Sequence, residues 1–577
     1  LCPGDVVEVP LRLSPSNFIR GERIDYNDAR GVSLIGYPEG EIRVLSHPDR
    51  PPLRFLPQRA AHALKEAITQ VFPRDVAPFL LALTTGGKGE LPDGLYAAFR
   101  RGGVAHVVAV SGLHVGFLIG VLSALFGRRS RLTFTLGTGL ILFFVLLTGA
   151  SPSALRAALM LFCVLLAPLT GREEDRPTTF TAILALLLLL NPYAAAGVSL
   201  QLSFAAVAGI DTLTPILYGR WVGALPKGEG RLAKLLLAGA RWAMGTLAVT
   251  LGALIFTAPL TALHFRTLSL VGPLTNLLVM WLIPLLFVGA LLLGAVGVFF
   301  PALVLPFARL LALPARWVMG VVEAMARLPL ASLSLDIPLF LAWAVAAYGM
   351  VLLWLLFRDR VRPALPLSAL ALTFCLMLLA HILPVYTAGL TVAALNVGQG
   401  ASTLLFPGGS AVLVDCGGSG AEDAGNVAAD YLQGLGRSRL DLLVLTHFHA
   451  DHAGSVPQLL SRVEVGQILM PDVEPDAPLR REITELAVER GIAVTLLSED
   501  AALDFGGATL TLFAPLGDGG ANEEGLSLLC TRGDFDALIT GDMNAVVEEI
   551  LVKEKALPDI ELLLVGHHGS RKSTSEA

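Results

Sequence analysis

The chain has 577 residues, 54% of them hydrophobic and 16% charged, with a mean hydropathy of +0.67, too long for one core and too apolar for a water-soluble enzyme. Its formal charge of −6 hides three unlike parts: Lys and Arg against Asp and Glu number 13 and 12 over residues 1–103, 18 and 8 over 104–386, and 11 and 28 over 387–577, giving +1, +10 and −17. The five cysteines, Cys2, Cys163, Cys375, Cys416 and Cys530, form no Cys-x-x-Cys pair, which excludes a close-spaced thiolate metal site and implies no disulfide framework.

The chain begins Leu1-Cys2-Pro3 and stops just after a motif-like stretch, as expected of a chain cut at both ends. Residues 1–56 alternate polar and apolar in short runs, as in Val6-Val7-Glu8-Val9, Val32-Ser33-Leu34-Ile35 and Ile42-Arg43-Val44-Leu45, and are expected to form short strands of a small barrel. Residues 57–103 turn helical, with Leu64, Ile68, Val71 and Phe72 at helical spacing, and are expected to be an entry module. Residues 104–386 hold apolar segments at about 104–127, 132–150, 154–170, 178–190, 194–211, 236–262, 270–300, 337–357 and 363–386. Several approach the ~20 residues a helix needs to cross a bilayer, which predicts about nine spans in a polytopic helical bundle.

Basic residues fall in alternate loops: Arg128, Arg129 and Arg131; Arg172 and Arg176; Arg220, Lys227, Arg231 and Lys234; Arg358, Arg360 and Arg362. The loops near 151 and 192 carry none, so the positive-inside bias makes the basic loops cytoplasmic and puts the N-terminal module outside. In 303–328, Arg309, Arg316, Glu323 and Arg327 share one helical face, and this segment either lies along the interface or crosses. A crossing puts the C-terminal domain outside as well. Inside the membrane, ionisable and polar side chains are functional candidates by default: His114, Arg156, Gln201 and Ser203. Snorkelling competes with a pore role for Arg156, and hydrogen bonding between helices competes for the other three.

Residues 387–577 mix apolar strands (411–414, 442–445, 509–513, 537–539, 562–565) with helices near 423–435, 478–490 and 545–554, an α/β pattern. Directly after the strand at 442–445 stands Thr446-His447-Phe448-His449-Ala450-Asp451-His452. Four ligand-type side chains in six residues allow His447 and His449 to converge on one metal while Asp451 and His452 reach a second, a centre suited to phosphoester hydrolysis. A solvated histidine-rich loop would not explain why Asp415, Asp542 and the pair His567-His568 also follow apolar strands, in order.

These pieces resemble the metallo-β-lactamase superfamily over residues 390–577: an aspartate ending an early strand, the His-x-His-x-Asp-His signature, a further aspartate and a late histidine. The resemblance implies an αββα sandwich holding two divalent ions, zinc or manganese. His447 and His449 would hold the first, Asp451 and His452 the second, Asp542 would bridge, His567 or His568 would complete the set, and Asp415 would orient the ligands. Asp451, Asp542 and His568 are the expected catalytic members. No histidine occurs between 453 and 541 to serve as a third ligand of the first ion.

Together with Ser111-Gly112-Leu113-His114-Val115-Gly116, the Arg156 segment, Gln201-Leu202-Ser203-Phe204, Asp25-Tyr26 with Gly31-Val32, and Asn396-Val397-Gly398-Gln399-Gly400, the whole chain resembles the ComEC family of DNA-internalisation proteins. That family combines an OB-like module, a competence membrane domain and a metallo-β-lactamase-like domain. The resemblance implies an inner-membrane channel that takes up single-stranded DNA during natural transformation, with a nuclease acting on the other strand and other competence proteins as partners. Asn396 and Ala401 depart from the acidic residues common in the family. Two rivals are a membrane-tethered hydrolase of another phosphoester and a transporter whose hydrolase-fold domain is catalytically silent.

Overall fold

The computed structural model describes every residue except 1–4, 17, 20–21, 24–26, 29–30, 47–54, 87–88, 90, 110–111, 149–151, 172–174, 227–229, 329, 336, 358–361, 363, 420–422, 518–523, 571–572 and 575–577. Asp25, Tyr26, Ser111, Arg172, Lys227, Arg358 and Arg360 therefore lie outside the described residues. The chain divides into two compact units, Leu1–Ala326 and Arg327–Ala577.

The first unit opens with strands β1 (Val6–Glu8), β2 (Leu11–Pro15), β3 (Phe18–Ile19), β4 (Glu22–Arg23), β5 (Leu34–Pro38) and β6 (Arg43–Ser46). They pair antiparallel as β1 with β6, β2 with β5 and β3 with β4, and among the described residues these ladders do not join into one sheet. Helices α1 (Leu56–Val71), α2 (Ala77–Thr85), α3 (Asp93–Arg101) and α4 (Ala105–Val108) follow, then α5 (Gly112–Phe126), α6 (Arg131–Leu147), α7 (Pro152–Leu166), α8 (Arg176–Leu190), α9 (Val198–Gly223) and α10 (Arg231–Phe265). Strand β7 (Thr267–Ser269), helices α11 (Gly272–Val279) and α12 (Ile283–Gly297) and α13 (Pro301–Ala326) complete the unit.

The helical spacing of Leu64, Ile68 and Val71 is realised in α1, whose apolar stripe is buried. It packs on α12: a Cβ added to Gly294 would meet Leu64 Cδ1 at 2.7 Å and Ile68 Cγ1 at 2.9 Å. The helices of 57–103 thus share one core with α5, α6, α12 and α13, through Phe79, Leu80, Phe99, Val115, Phe144, Phe287 and Ala308.

Among the described residues, α9, α10, α13 and α15 (Ala364–Thr387) are long and apolar enough to cross a membrane; α11 and α12, bent by 52°, count as one more. Five shorter apolar helices, α5 to α8 and α14 (Ile337–Leu356), accompany them. The chain is a multi-pass membrane protein. In α13, Val304, Ala308, Leu311, Ala315 and Val318 are buried while Leu303, Phe307, Leu310 and Leu313 are exposed, so apolar side chains cover both its inner and its outer face. Arg316 is bound to Asp75, Nε to Oδ2 at 2.6 Å and Nη2 to Oδ1 at 3.1 Å.

The second unit begins with β8 (Ser332–Ser334), α14 and α15. The end of α15 is part of the domain that follows: Val385 joins its core and the Tyr386 hydroxyl donates to the Leu435 carbonyl at 3.0 Å. Six strands, β9 (Leu390–Ala394), β10 (Thr403–Pro407), β11 (Val412–Val414), β12 (Arg439–Val444), β13 (Glu464–Pro471) and β14 (Ala493–Leu497), form one sheet in the order β14-β13-β12-β11-β10-β9, parallel from β11 to β14. A second sheet runs β15 (Ala501–Phe505), β16 (Ala508–Phe513), β17 (Ser527–Arg532), β18 (Phe535–Ile539) and β19 (Leu562–Leu564).

Side chains alternate along a strand, so each sheet has two faces to cover. Leu404, Phe406, Leu413 and Leu443 meet α16 (Ala424–Gly434), α18 (Val456–Leu460) and α19 (Pro478–Arg490). Leu405, Val412, Val414, Leu442 and Val444 meet Leu510, Leu512, Leu528 and Ile539 of the other sheet. Leu529 and Leu538 meet α20 (Ala545–Glu554). This is the expected αββα sandwich.

Candidate metal centre

The candidate site residues stand where strands of both sheets end. Asp415 follows β11 in the left-handed conformation, φ 60°, which Asp tolerates better than most residues. His447 and His449 follow β12, and His449 precedes the short helix α17 (Ala450–Ala453) that carries Asp451 and His452. Asp542 follows β18, and His567 and His568 follow β19 with φ 49° and 54°.

Three loops are pressed together to make this site. The His452 carbonyl accepts from the Cys416 amide at 2.6 Å, and the Asp451 carbonyl accepts from the Ala401 amide at 2.9 Å. Gly417 allows this approach, since a Cβ there would lie 2.4 Å from the Asp451 carbonyl carbon and the His452 nitrogen; at Gly400 it would lie 2.3 Å from Gly418 Cα. The Asn-Val-Gly-Gln-Gly stretch therefore buttresses the histidine loop.

Asp451, His452, Asp542 and His568 each direct a ligand atom into one cluster, all four atoms within 4.8 Å of one another. His452 Nε2 lies 2.9 Å from Asp542 Oδ1, and His568 Nε2 lies 3.2 Å from Asp451 Oδ2 and 3.8 Å from Asp542 Oδ1. His447 Nε2 is 4.0 Å from Asp542 Oδ2, and its ring stands 4.8 Å from that of the exposed His449. His567 is turned edge-on to His568 at 6.5 Å and is outside the cluster.

Behind the cluster, Asp415 accepts from the Thr446 amide and hydroxyl, both at 2.8 Å, and its Oδ2 lies 2.8 Å from His452 Nδ1. The Thr446 hydroxyl is also 3.1 Å from His447 Nδ1. Thr446 was not singled out from sequence; its position between a buried strand and the first histidine was the only signal.

A divalent ion fits these residues. His447 Nε2, His452 Nε2 and Asp542 Oδ1 are buried and make no aligned hydrogen bond, and buried polar atoms of this kind call for a partner. Burial, and then the charge of His452, press His447 down to about 4. Burial acts the same way on His452, but Asp415 and Asp542 outweigh it and push the imidazole up to about 10. Burial would raise Asp542, yet His452 and His447 hold it down at about 2. The field that keeps a proton on His452 equally favours a cation between Asp451, Asp542 and His568.

The pore candidates divide into two places. His114 on α5 is fully buried, 4.9 Å from the Phe287 ring. Arg156 on α7 is buried, with Nη2 3.2 Å from Ser199 Oγ and its guanidinium 5.9 Å from the Phe204 ring. Gln201 on α9 is two residues after Ser199 and so projects from a different side of the helix; its Oε1 is 2.7 Å from His264 Nε2 on α10 and its Nε2 donates to the Ala195 carbonyl. Ser203 is half-buried on α9.

A strand-end cluster of this composition on an αββα sandwich defines a domain of the metallo-β-lactamase fold, here in a chain that also carries multi-pass membrane helices. The family described as Competence protein matches residues 83–362, and the Metallo-beta-lactamase superfamily matches 395–577. "ComE operon protein 3" of Bacillus subtilis is 27% identical over 88% of this chain and 65% of its own length. "Recombination protein 2" of Haemophilus influenzae is 25% identical over 97% and 71%, and "Competence protein ComA" of Neisseria gonorrhoeae 29% over 86% and 66%. The chain thus spans about two thirds of the length of these relatives. The metallo-β-lactamase fold protein YhfI of Bacillus subtilis is 18% identical over 26% of this chain and 61% of that one, with a TM-score of 0.20. The chain belongs to the ComEC family.

Proposed function

We propose that this protein is an inner-membrane channel that takes up single-stranded DNA during natural transformation, and that its C-terminal domain is a metal-dependent phosphodiesterase that degrades the strand left behind. The observation that carries this reading is the occurrence in one chain of the Competence-protein match over 83–362 and the cluster of Asp451, His452, Asp542 and His568. The relatives named for competence support the DNA substrate, and other competence proteins are the expected partners.

Asp451, His452, Asp542 and His568, together with His447 and His449, would hold zinc or manganese, which when bound would supply polarisation of the scissile phosphate and activation of water. Asp415 keeps the His452 Nδ1 side occupied and so aims Nε2 into the cluster, toward Asp542. His568, the ligand candidate of the late pair, closes the cluster from its more exposed side.

A region at −17 repels a polyanion, so DNA contact falls to the bound ions and to the membrane region at +10. There Arg156, with Gln201, Ser203 and His114, is the proposed pore lining. Both soluble regions are placed on the outer face. In support, the Asn191 side chain donates to the Asp28 carbonyl at 3.2 Å, joining the uncharged loop after α8 to the N-terminal strands, and α13 is long enough to cross. The strands of residues 1–56 are proposed to be part of an OB-like module.

A nuclease assay with added zinc or manganese, comparing wild type with Asp451→Ala and His449→Ala, tests the enzyme: activity in the wild type lost in both variants supports it. Uptake of labelled DNA by cells carrying Arg156→Ala or His114→Ala tests the channel, and unchanged uptake would remove these residues from it. A second reading, a hydrolase-fold docking module without activity, is favoured by the exposed His449 and by the absence of any histidine between 453 and 541. No activity in any form, with uptake intact, would select it.

A further inference from the structure

Helices α5 and α7 touch at one end and part toward the other. A Cβ on Gly112 would meet the Ala157 Cβ at 3.0 Å, whereas one on Gly116 or Gly120 would meet nothing within 4 Å. The gap is a groove of about 440 Å³ lined by Gly116, Ile119, Gly120, Ser123, Leu165 and Arg128, among others. Its floor cannot collapse inward, because Leu165 and Ile119 already bear on α6, where a Cβ on Gly137 would meet them at 2.9 and 3.1 Å.

We propose that this groove is a binding site for one acyl chain of an anionic phospholipid, with the headgroup phosphate at Arg128. Apart from Ser123 and the Arg128 end, the groove's walls offer water few partners, and left empty they forfeit dispersion contacts. From Gly116 to Arg128 it runs about 18 Å at 1.5 Å per residue, close to one leaflet of a hydrocarbon core ~30 Å thick. Its arginine end is the turn between α5 and α6, which Gly127 closes with φ 82° and Ser130 caps by accepting from the Leu132 amide. Arg128, Arg129 and Arg131 lie on that turn and the first residue of α6, and basic groups at the mouth of a gap between membrane helices select anionic headgroups.

The test uses the whole chain, delipidated in neutral detergent, with phosphatidylglycerol, phosphatidylcholine or glycerol 3-phosphate added, reading retained lipid by mass spectrometry and the thermal midpoint. Phosphatidylglycerol is expected to be retained and to raise the midpoint more than phosphatidylcholine, and glycerol 3-phosphate to do neither. Arg128→Gln should weaken phosphatidylglycerol retention about fivefold. Gly120→Leu and Gly116→Val, which fill the groove, should abolish retention of both lipids, while Gly139→Leu, at an open position on α6 outside the groove, behaves as wild type. Equal response to the two lipids, a full response to glycerol 3-phosphate, or retention unchanged in both groove-filling variants overturns the proposal. So does a change of oligomeric state in those variants, which would make a second copy the occupant.

Discussion

Asp415 meets three donors at once, and its backbone sits at φ 60°. Asp415→Ala leaves the buried Thr446 amide and His452 Nδ1 without their carboxylate and should lower metal affinity about 10- to 100-fold, measured by competition with a chromophoric chelator. Asp415→Asn keeps the backbone preference and should lose less. His452 supplies a second prediction, with a defined sign. Its imidazole is held up to about 10, so at pH 7 a proton must leave before Nε2 can ligate, and metal affinity should rise with pH toward that value. Calorimetry of metal binding in buffers of different ionisation enthalpy should report proton release near neutrality. In the metal-free protein the same group stabilises the fold fully below 6.5 and loses that contribution as the pH rises through about 10. The ligand types were legible in the sequence because four of them fall within six residues after an apolar strand. The choice between His567 and His568 was not, since it depends on two adjacent left-handed residues that turn one ring inward and the other away.

Among the elements, the histidine loop is held by chain about fifty residues earlier. Gly417→Ala would drive a methyl into the Asp451–His452 backbone; overpacking of this kind typically costs about 1–3 kcal/mol. A lowered thermal midpoint together with lost metal content is the expected result. Nothing in the composition of 396–400 discloses this role, because the contacts are between backbones and join distant segments. The paired helices α9 and α10 make a similar approach, where a Cβ on Gly209 would lie 2.1 Å from the Gly252 carbonyl oxygen. Gly209→Leu should therefore separate these helices and reduce the folded yield in detergent far more than Gly219→Leu, an open position on the same helix. Each of the nine apolar segments read from sequence carries helix. Segment 303–328 was ambiguous because its charges mark one face, while the apolar residues on its outer face are visible only once the packing of the inner face is known.

At the scale of the whole molecule, the charge division orders the expected interactions with DNA. Association of the intact chain in nanodiscs with single-stranded DNA should weaken log-linearly with salt, and neutralising Arg220, Arg231 and Lys234 together should flatten that slope. If the slope is unchanged, cations elsewhere hold the strand. Hydropathy alone announced the membrane region and the change of regime after residue 387, because a bilayer and water demand opposite compositions. What it did not disclose was the partner of residues 57–103. Their apolar stripe reads like that of any soluble helix, and only the structure shows it buried against α12 and α13.

The turn bearing His567 and His568 holds two successive side chains in a backbone shape that such residues rarely adopt unaided. An ion drawn to the cluster through His568 would help to keep that turn coiled. Withdrawal of the ion by a chelator should therefore let segment 566–570 relax first, ahead of the strands behind it, and hydrogen exchange at its amides would register this as a latch released before the frame gives way.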